Sequence, residues 1–257
     1  MSTYICSDLH GQYTLFMKML EKIEFSNNDT LYVLGDIVDR GPKSIRLFNY
    51  IMSQDNMICT IGNHEHMMWN YYRGHDREYR EAWRHPGNGG DRTRKQVNNL
   101  TQKDREKILD YIENMYLQIE LKENNKKILL SHSSFIIDKD TTYWRDCSNF
   151  EIERTVWYSP WRRWEHERFE HYNWDNRIHI VGHVPVQHVR YDESTEETDK
   201  KALKAANILK EIIVDKVINI DGGCAYKNKK LFSNCGIICM NLSNYINNTD
   251  NAFIYIK

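Results

Sequence analysis

The sequence predicts an α/β protein in which strands alternate with helices and a later set of strands packs over the first. Two observations carry this. Between Tyr4 and Ile61, three apolar runs alternate with two segments of helical apolar period, and further apolar runs lie at 217–220, 236–242 and 253–256. Short polar motifs also follow the apolar runs, at the edge where open α/β sheets place their ligands. The 257 residues could form one α/β domain or two small ones. With no internal repeat and no Pro- or Gly-rich linker, one domain over 1–257 is expected.

In chain order, Tyr4–Ser7 reads as a strand, and Leu15 to Ile23 has a helical period. Thr30–Leu34 has no polar break between Leu31 and Leu34, as expected of a strand buried on both faces. Ser44–Met52 reads as a helix with Pro42 just ahead of it, and Met57–Ile61 as the third strand. This order argues for parallel or mixed strands with helices outside. Residues 66–127, rich in Tyr, Arg, Glu and Lys, read as a helical insertion broken at His85-Pro86-Gly87-Asn88-Gly89-Gly90. Lys127–Ser131 and Ile178–Val181 read as strands, 192–201 as a solvated charged loop, and Ala202–Ile213 as a short helix. The closing runs then suggest a second sheet packed on the first.

Composition sets bounds on function. Hydrophobic residues at 40% and charged residues at 28% suit a soluble globular protein. A net charge of −1 provides no global basic field, so extensive nucleic-acid binding has no support from charge. No apolar run approaches the roughly 18–20 residues of a membrane span, and Met1 to Cys6 leaves no room for a signal peptide before the first motif. Cys6, Cys59, Cys147, Cys224, Cys235 and Cys239 contain no C-x-x-C pair and read as reduced thiols of a cytoplasmic protein. Cys224, beside Gly222-Gly223, is either a reactive thiol or a small residue in a tight turn.

Five motifs carry the chemistry: Ser7-Asp8-Leu9-His10-Gly11, Gly35-Asp36-Ile37-Val38-Asp39-Arg40-Gly41, Gly62-Asn63-His64-Glu65, Ser131-His132-Ser133 and Gly182-His183-Val184. A phosphate ester resists hydrolysis because its anionic oxygens repel a nucleophile and its leaving oxygen is poor. Two divalent ions lower the pKa of a shared water to roughly 7 and neutralise the phosphoryl oxygens. Such a pair needs a bridging carboxylate, and Asp36 is the natural bridge. Asp8 and His10 would complete one ion, and Asn63, His132 and His183 the other. Mixed imidazole, carboxylate and amide donors without thiolate suit manganese, with iron or zinc as alternatives, better than calcium.

These motifs resemble the signature of the calcineurin-like metallophosphoesterases. More narrowly, they resemble the serine/threonine phosphoprotein phosphatase group, with its phage lambda-type phosphatases and diadenosine tetraphosphatases. Asn88-Gly89-Gly90-x-x-Thr93 and Asn219-Ile220-Asp221-Gly222-Gly223 extend the likeness over most of the chain. The resemblance implies a two-sheet β-sandwich flanked by helices. It implies His64 as the general acid for the leaving oxygen, with Asp39 orienting the ring and raising its pKa. Arg40 would hold phosphate through its planar donors. A second phosphate-binding arginine would be Arg163, with Arg162 the alternative, in the loosely matching Val156 to Trp164 stretch. Two departures stand out: Ser133-Ser134 where the family often has Ala-Gly, and Val184 where it commonly has threonine. Neither removes a ligand.

The expected activity is therefore phosphomonoester hydrolysis on phosphoserine or phosphothreonine, by direct attack of a metal-bridging hydroxide. The alternative is a diadenosine tetraphosphatase or another nucleotide or RNA-end hydrolase. The partner would be a phosphoprotein or a small phosphorylated substrate, with no membrane. His66 either lines the pocket or packs, and the remaining histidines default to surface or hydrogen-bonding roles. The aromatic stretches 69–73 and 157–174 read as core packing, with base stacking as the alternative.

Overall fold

The computed structural model describes residues 1–74, 76–136, 138–161, 176–191, 200–226 and 232–257. The first half unfolds along the chain as β1 (Thr3–Cys6), α1 (Tyr13–Lys22), β2 (Thr30–Leu34), α2 (Ser44–Met52) and β3 (Met57–Thr60). β1, β2 and β3 pair in parallel. Four helices follow: α3 (Asn63–Tyr72), α4 (Arg77–Arg84), α5 (Gly90–Asn98) and α6 (Gln102–Glu113).

The helical stretch ends earlier than the sequence suggests, because Tyr116–Glu123 is a strand, β4. It forms an antiparallel hairpin with β5 (Lys126–Ser131). Asn124 and Asn125 join them at φ 47° and 63°, the left-handed pair that a tight two-residue hairpin requires. β6 (Thr142–Tyr143), α7 (Asn149–Val156), β7 (Ile178–Val181) and α8 (Val186–Arg190) come next. The last described elements are α9 (Lys200–Ala206), β8 (Ile212–Val214), β9 (Val217–Asn219), β10 (Ile237–Asn241), α10 (Leu242–Ile246) and β11 (Phe253–Ile256). The helix expected over 202–213 thus stops at Ala206, and its end becomes an edge strand.

Among the described residues, the strands follow one order, β11-β10-β1-β2-β3-β4-β5-β7-β9-β8, with β6 on β4. The sandwich is this single sheet curled on itself. Its turning point is the β3–β4 junction, where only Thr60 and Tyr116 align. The closing strands divide: β9 joins the second layer, while β10 pairs with β1 and extends the first.

Strand periodicity builds two cores. Ile5 and Leu34 point inward to meet Ile128, Leu130, Ile180, Ile218 and Met240 between the layers. Their neighbours Tyr4, Cys6 and Val33 point outward under α1, α2 and the helices after β3. This places the carboxyl ends of β1, β2, β3, β5 and β7 along one rim, and all five motifs leave from it.

None of the described helices is long and apolar enough to cross a membrane. The six cysteines are free thiols. The Cys224 Sγ lies 3.1 Å from the Asp8 carbonyl and 3.3 Å from that of Leu9, so this buried thiol fastens the first motif from the side.

Candidate metal centre

The rim loops are unusually bent. Asp8, His10, Asp36, Asp39, Arg40 and His183 all have positive φ, between 41° and 71°. Non-glycine residues enter this region at a cost, and they persist only where surrounding contacts over-determine them. Glu65, in the first turn of α3, supplies those contacts for the second motif. Its buried carboxylate accepts from Asp36 N (2.8 Å), Ile37 N (2.9 Å), Val38 N (3.1 Å) and Gly62 N (3.1 Å). Gly62 and Gly182 permit the close approach, since a Cβ on either would run into the carboxylate of Asp36 or Asp8 respectively.

Two donor groups share Asp36. In one, ligand atoms of His10, Asp36 and His64 lie within 4.8 Å of one another; in the other, those of Asp36, His132 and His183 do. Asp36 Oδ2 is 3.5 Å from His10 Nε2, and Oδ1 is 3.5 Å from His132 Nε2. Asn63 Oδ1 and His183 Nδ1 each lie 3.1 Å from His132 Nε2. Asp8 stands slightly apart: its Oδ2 accepts from His183 N at 2.9 Å and from the Ser7 hydroxyl. The expected bridge, Asn63 and all the histidines therefore converge, and Asp8 borders them.

This donor set fits divalent cations. His132 Nδ1 faces the Leu34 carbonyl at 2.8 Å and His10 Nδ1 faces that of Val38 at 3.0 Å. Each carbonyl holds the ring with its Nδ1 proton outward, leaving Nε2 as the inward lone pair, the arrangement of metal-binding histidines. The electrostatics agree. Burial pushes the Asp36 pKa well up, with Asp8 and Glu65 adding repulsion, and burial also raises Asp8. Burial lowers His10 and His64 well below the usual imidazole value, with the Arg40 charge adding to the effect. Arg40 brings one positive charge to this cluster of buried carboxylates and neutral imidazoles, and divalent cations would supply the rest.

His64 occupies the edge of this cluster. Its Nδ1 is 2.7 Å from Asp39 Oδ2, and its Nε2 is buried with no hydrogen-bond partner, 3.8 Å from Asp36 Oδ2. The pairing with Asp39 matches expectation, but the pKa effect does not. Burial lowers His64, and burial lifts Asp39 to about 7. Charge is disfavoured on both partners because neither reaches solvent.

Trp83 was not legible from sequence, yet its Nε1 donates to the same Asp39 oxygen at 2.7 Å. Arg40 Nη1 lies 2.8 Å from His10 Nε2, which places its guanidinium beside the first donor group. Arg162 and Arg163 lie outside the described residues.

Other expectations resolve as packing. His66 is buried edge-on against Tyr79 and Trp144, and burial lowers its pKa to about 4. Trp69 packs on Trp144, and Tyr71 and Tyr72 pack on Trp83. Asn88-Gly89-Gly90 lies against Arg40, with the Gly89 carbonyl accepting from Arg40 N at 3.4 Å. Ser133 uses its hydroxyl to bond the Tyr158 carbonyl at 2.7 Å, which ties the fourth motif to the chain after α7. Asp221 turns its Oδ1 to Gly223 N at 2.8 Å, and burial beside Asp8 and Asp36 drives its pKa well up.

Fold and donors together define a strand-edge site with two donor groups, each able to hold a cation, that share one carboxylate. The model of the calcineurin-like phosphoesterases matches residues 1–218, and the chain belongs to that family. It is 34% identical over 101 residues to the symmetrical bis(5'-nucleosyl)-tetraphosphatase of Buchnera aphidicola subsp. Baizongia pistaciae, covering 32% of this chain and 36% of that protein. It is 45% identical over 67 residues to the enzyme of the same name from Haemophilus ducreyi, 25% of each. The matched segments thus span about a third or less of these relatives' length. In fold, the chain is similar to a protein serine/threonine phosphatase from Saccharomyces cerevisiae (TM-score 0.56, 17% identity, 99% of this chain and 78% of that one). It is also similar to a metallophosphoesterase from Sphaerobacter thermophilus (TM-score 0.53, 17% identity, 100% and 88%).

Proposed function

We propose that this protein is a metal-dependent phosphohydrolase acting on small nucleotide substrates, with dinucleoside tetraphosphates cut symmetrically as the leading class. The observation that carries the catalytic reading is the pair of donor groups sharing Asp36, with the His64–Asp39 pair at their edge. The tetraphosphatase names of the relatives favour the nucleotide substrate over phosphoserine or phosphothreonine. The protein-phosphatase reading rests on the Asp39-Arg40 motif and on fold likeness, which does not specify substrate. A cytoplasmic location is the companion reading of the reduced thiols.

In this reading Asp8, His10 and Asp36 would hold one ion, and Asp36, Asn63, His132 and His183 the other, with manganese the leading choice. The ions, when bound, lower the pKa of water and neutralise phosphoryl charge. Arg40 takes the phosphate through its planar donors. His64, held by Asp39 through Nδ1, presents Nε2 to the leaving oxygen; burial leaves the ring neutral at rest, so it delivers a proton there only after Nε2 has taken one up. Water adds its oxygen to phosphorus and gives up a proton as the P–O bond to the departing nucleoside diphosphate breaks, and that released proton balances the one His64 delivers. Trp83 and Asp39 keep the ring from rotating.

The test compares turnover of diadenosine tetraphosphate, a phosphoserine peptide and p-nitrophenyl phosphate with Mn(II). Two ADP per tetraphosphate is the expected product. ATP plus AMP, or turnover of the peptide alone, would refute the reading.

A further inference from the structure

The rim beyond Arg40 is cationic, and among the described residues its charges lack acidic partners. α2 and α5 are tied side by side there. Thr93 Oγ1 donates to Ser44 Oγ at 3.1 Å, and Ile45 N donates to Gln96 Oε1 at 3.1 Å. The same two hydroxyls receive Asp39 N, each at 3.0 Å, which fixes the tie against the second motif. Lys43 and Arg92 each precede a member of this tie by one residue, so both are carried to the rim. Arg92 Nη1 donates to the Arg40 carbonyl at 3.2 Å, and Lys43 N donates to the Gly11 carbonyl at 3.1 Å. Arg46 follows about one helical turn, roughly 5.4 Å, along α2. Lys43 and Arg46 both lie over the Tyr13 ring, at 5.9 and 4.4 Å.

Lys43, Arg46 and Arg92 are exposed, and among the described residues none makes an ion pair. No acidic residue occurs from Arg40 to Gln54 or from Arg92 to Lys103, and Asp91 is engaged by Arg94. In a chain of net charge −1, this concentration is local. The surface between α4 and the end of α7 is mixed in sign: Glu78, Glu81 and Glu153 lie there with Arg77, which pairs with Glu81 at 2.7 Å, while Glu153 accepts from the Tyr79 hydroxyl at 2.7 Å. The uncompensated positive charge beside Arg40 lies on α2 and α5, and it attracts an anionic chain towards them.

We propose that Lys43, Arg46 and Arg92 bind the phosphates of a substrate beyond the one held at Arg40, so that the site prefers linked phosphates to an isolated one. The inference deepens the nucleotide reading above and rests on it for the identity of the substrate. The rim itself can be tested without turnover. Each exposed charge is worth little alone, about 1.4- to 5-fold, but a chain of phosphates meets them in series.

The experiment titrates Mn(II)-loaded protein with inorganic tripolyphosphate and with orthophosphate by calorimetry, free Mn(II) being equal in cell and syringe. Tripolyphosphate is expected to bind more tightly. Its advantage over orthophosphate should fall roughly tenfold in Lys43→Gln/Arg46→Gln/Arg92→Gln, and should persist in Lys43→Arg/Arg46→Lys/Arg92→Lys. An unchanged advantage in the neutral variant, no advantage in the parent protein, or an equal loss for both anions would each overturn the proposal. A protein that keeps the tripolyphosphate preference but leaves diadenosine tetraphosphate uncut would refute the substrate reading and leave the rim standing.

Discussion

The two donor groups around Asp36 are built in different ways. The His10–Asp36–His64 group comes from three consecutive strand ends of one parallel layer, β1, β2 and β3, and its members are all buried. The Asp36–His132–His183 group reaches across the curl of the sheet to β5 and β7, and His183 is partly exposed. Short β-α-β connections place the first group almost automatically. The second exists only because the sheet folds over at β3–β4. One bond that links the layers there is His132 Nδ1 to the Leu34 carbonyl, between residues 98 apart in sequence. The first group should therefore tolerate loosening of the second layer, and the second should not.

Four measurements break or sharpen this contrast, in descending order of effect. Asp36→Asn removes the carboxylate common to both groups, so turnover should fall to background and bound metal should be lost from both positions. Retention of either ion by elemental analysis would show that the bridge lies elsewhere. His64→Asn should lower kcat by about 10²–10⁴-fold while leaving metal content intact, as expected of a proton donor. Loss of one ion would instead make His64 a ligand of the first group. Glu65→Gln replaces an acceptor of four backbone N–H groups with an amide that can accept through one oxygen only. Metal affinity should drop about 10- to 100-fold, with unfolding still cooperative, and the first position should suffer more than the second.

The smallest effect is on pH. Burial raises Asp8 and Asp36, so in the metal-free protein they hold protons above the ordinary carboxylate range, whereas His10 and His64 are already neutral. Cation binding must displace carboxylate protons and has none to displace from those two rings. Affinity for Mn(II) should rise with pH across the range in which those carboxylates titrate, by up to about tenfold per pH unit for each proton released. Calorimetry in two buffers of different ionisation enthalpy counts those protons, and zero release would contradict the burial argument.

Much of the first layer could be read from the chain alone. β2, α2, β7 and β11 have the same limits in the sequence reading and in the structure. An unbroken apolar run or a clean helical period leaves little choice there. β4 shows where such reading fails. Leu117, Ile119 and Leu121 alternate with Gln118, Glu120 and Lys122, a period of two, but they follow a long charged helical stretch and share its composition. The end of the expected 202–213 helix goes the same way: Ile212 to Val214 are β-branched, and pairing with β9 overrides the local period. Asp221 caps the turn at Gly223 through Oδ1, and the fold brings it near enough to Asp8 and Asp36 to feel their charge, which its place in the chain does not reveal.

The primary structure alone settled which atoms were available: carboxylates, imidazoles and an amide, each placed by a strand's end and a short polar motif. Those choices are local, since period and spacing act over a few residues. It could not say that Trp83 would secure Asp39 from 44 positions away, that Glu65 would hold four backbone groups, or that two cationic helix starts would flank Arg40. Such contacts depend on how the sheet curls and how α4 and α5 lie across it. Their energies are those of packing and burial between distant segments, which no local pattern encodes.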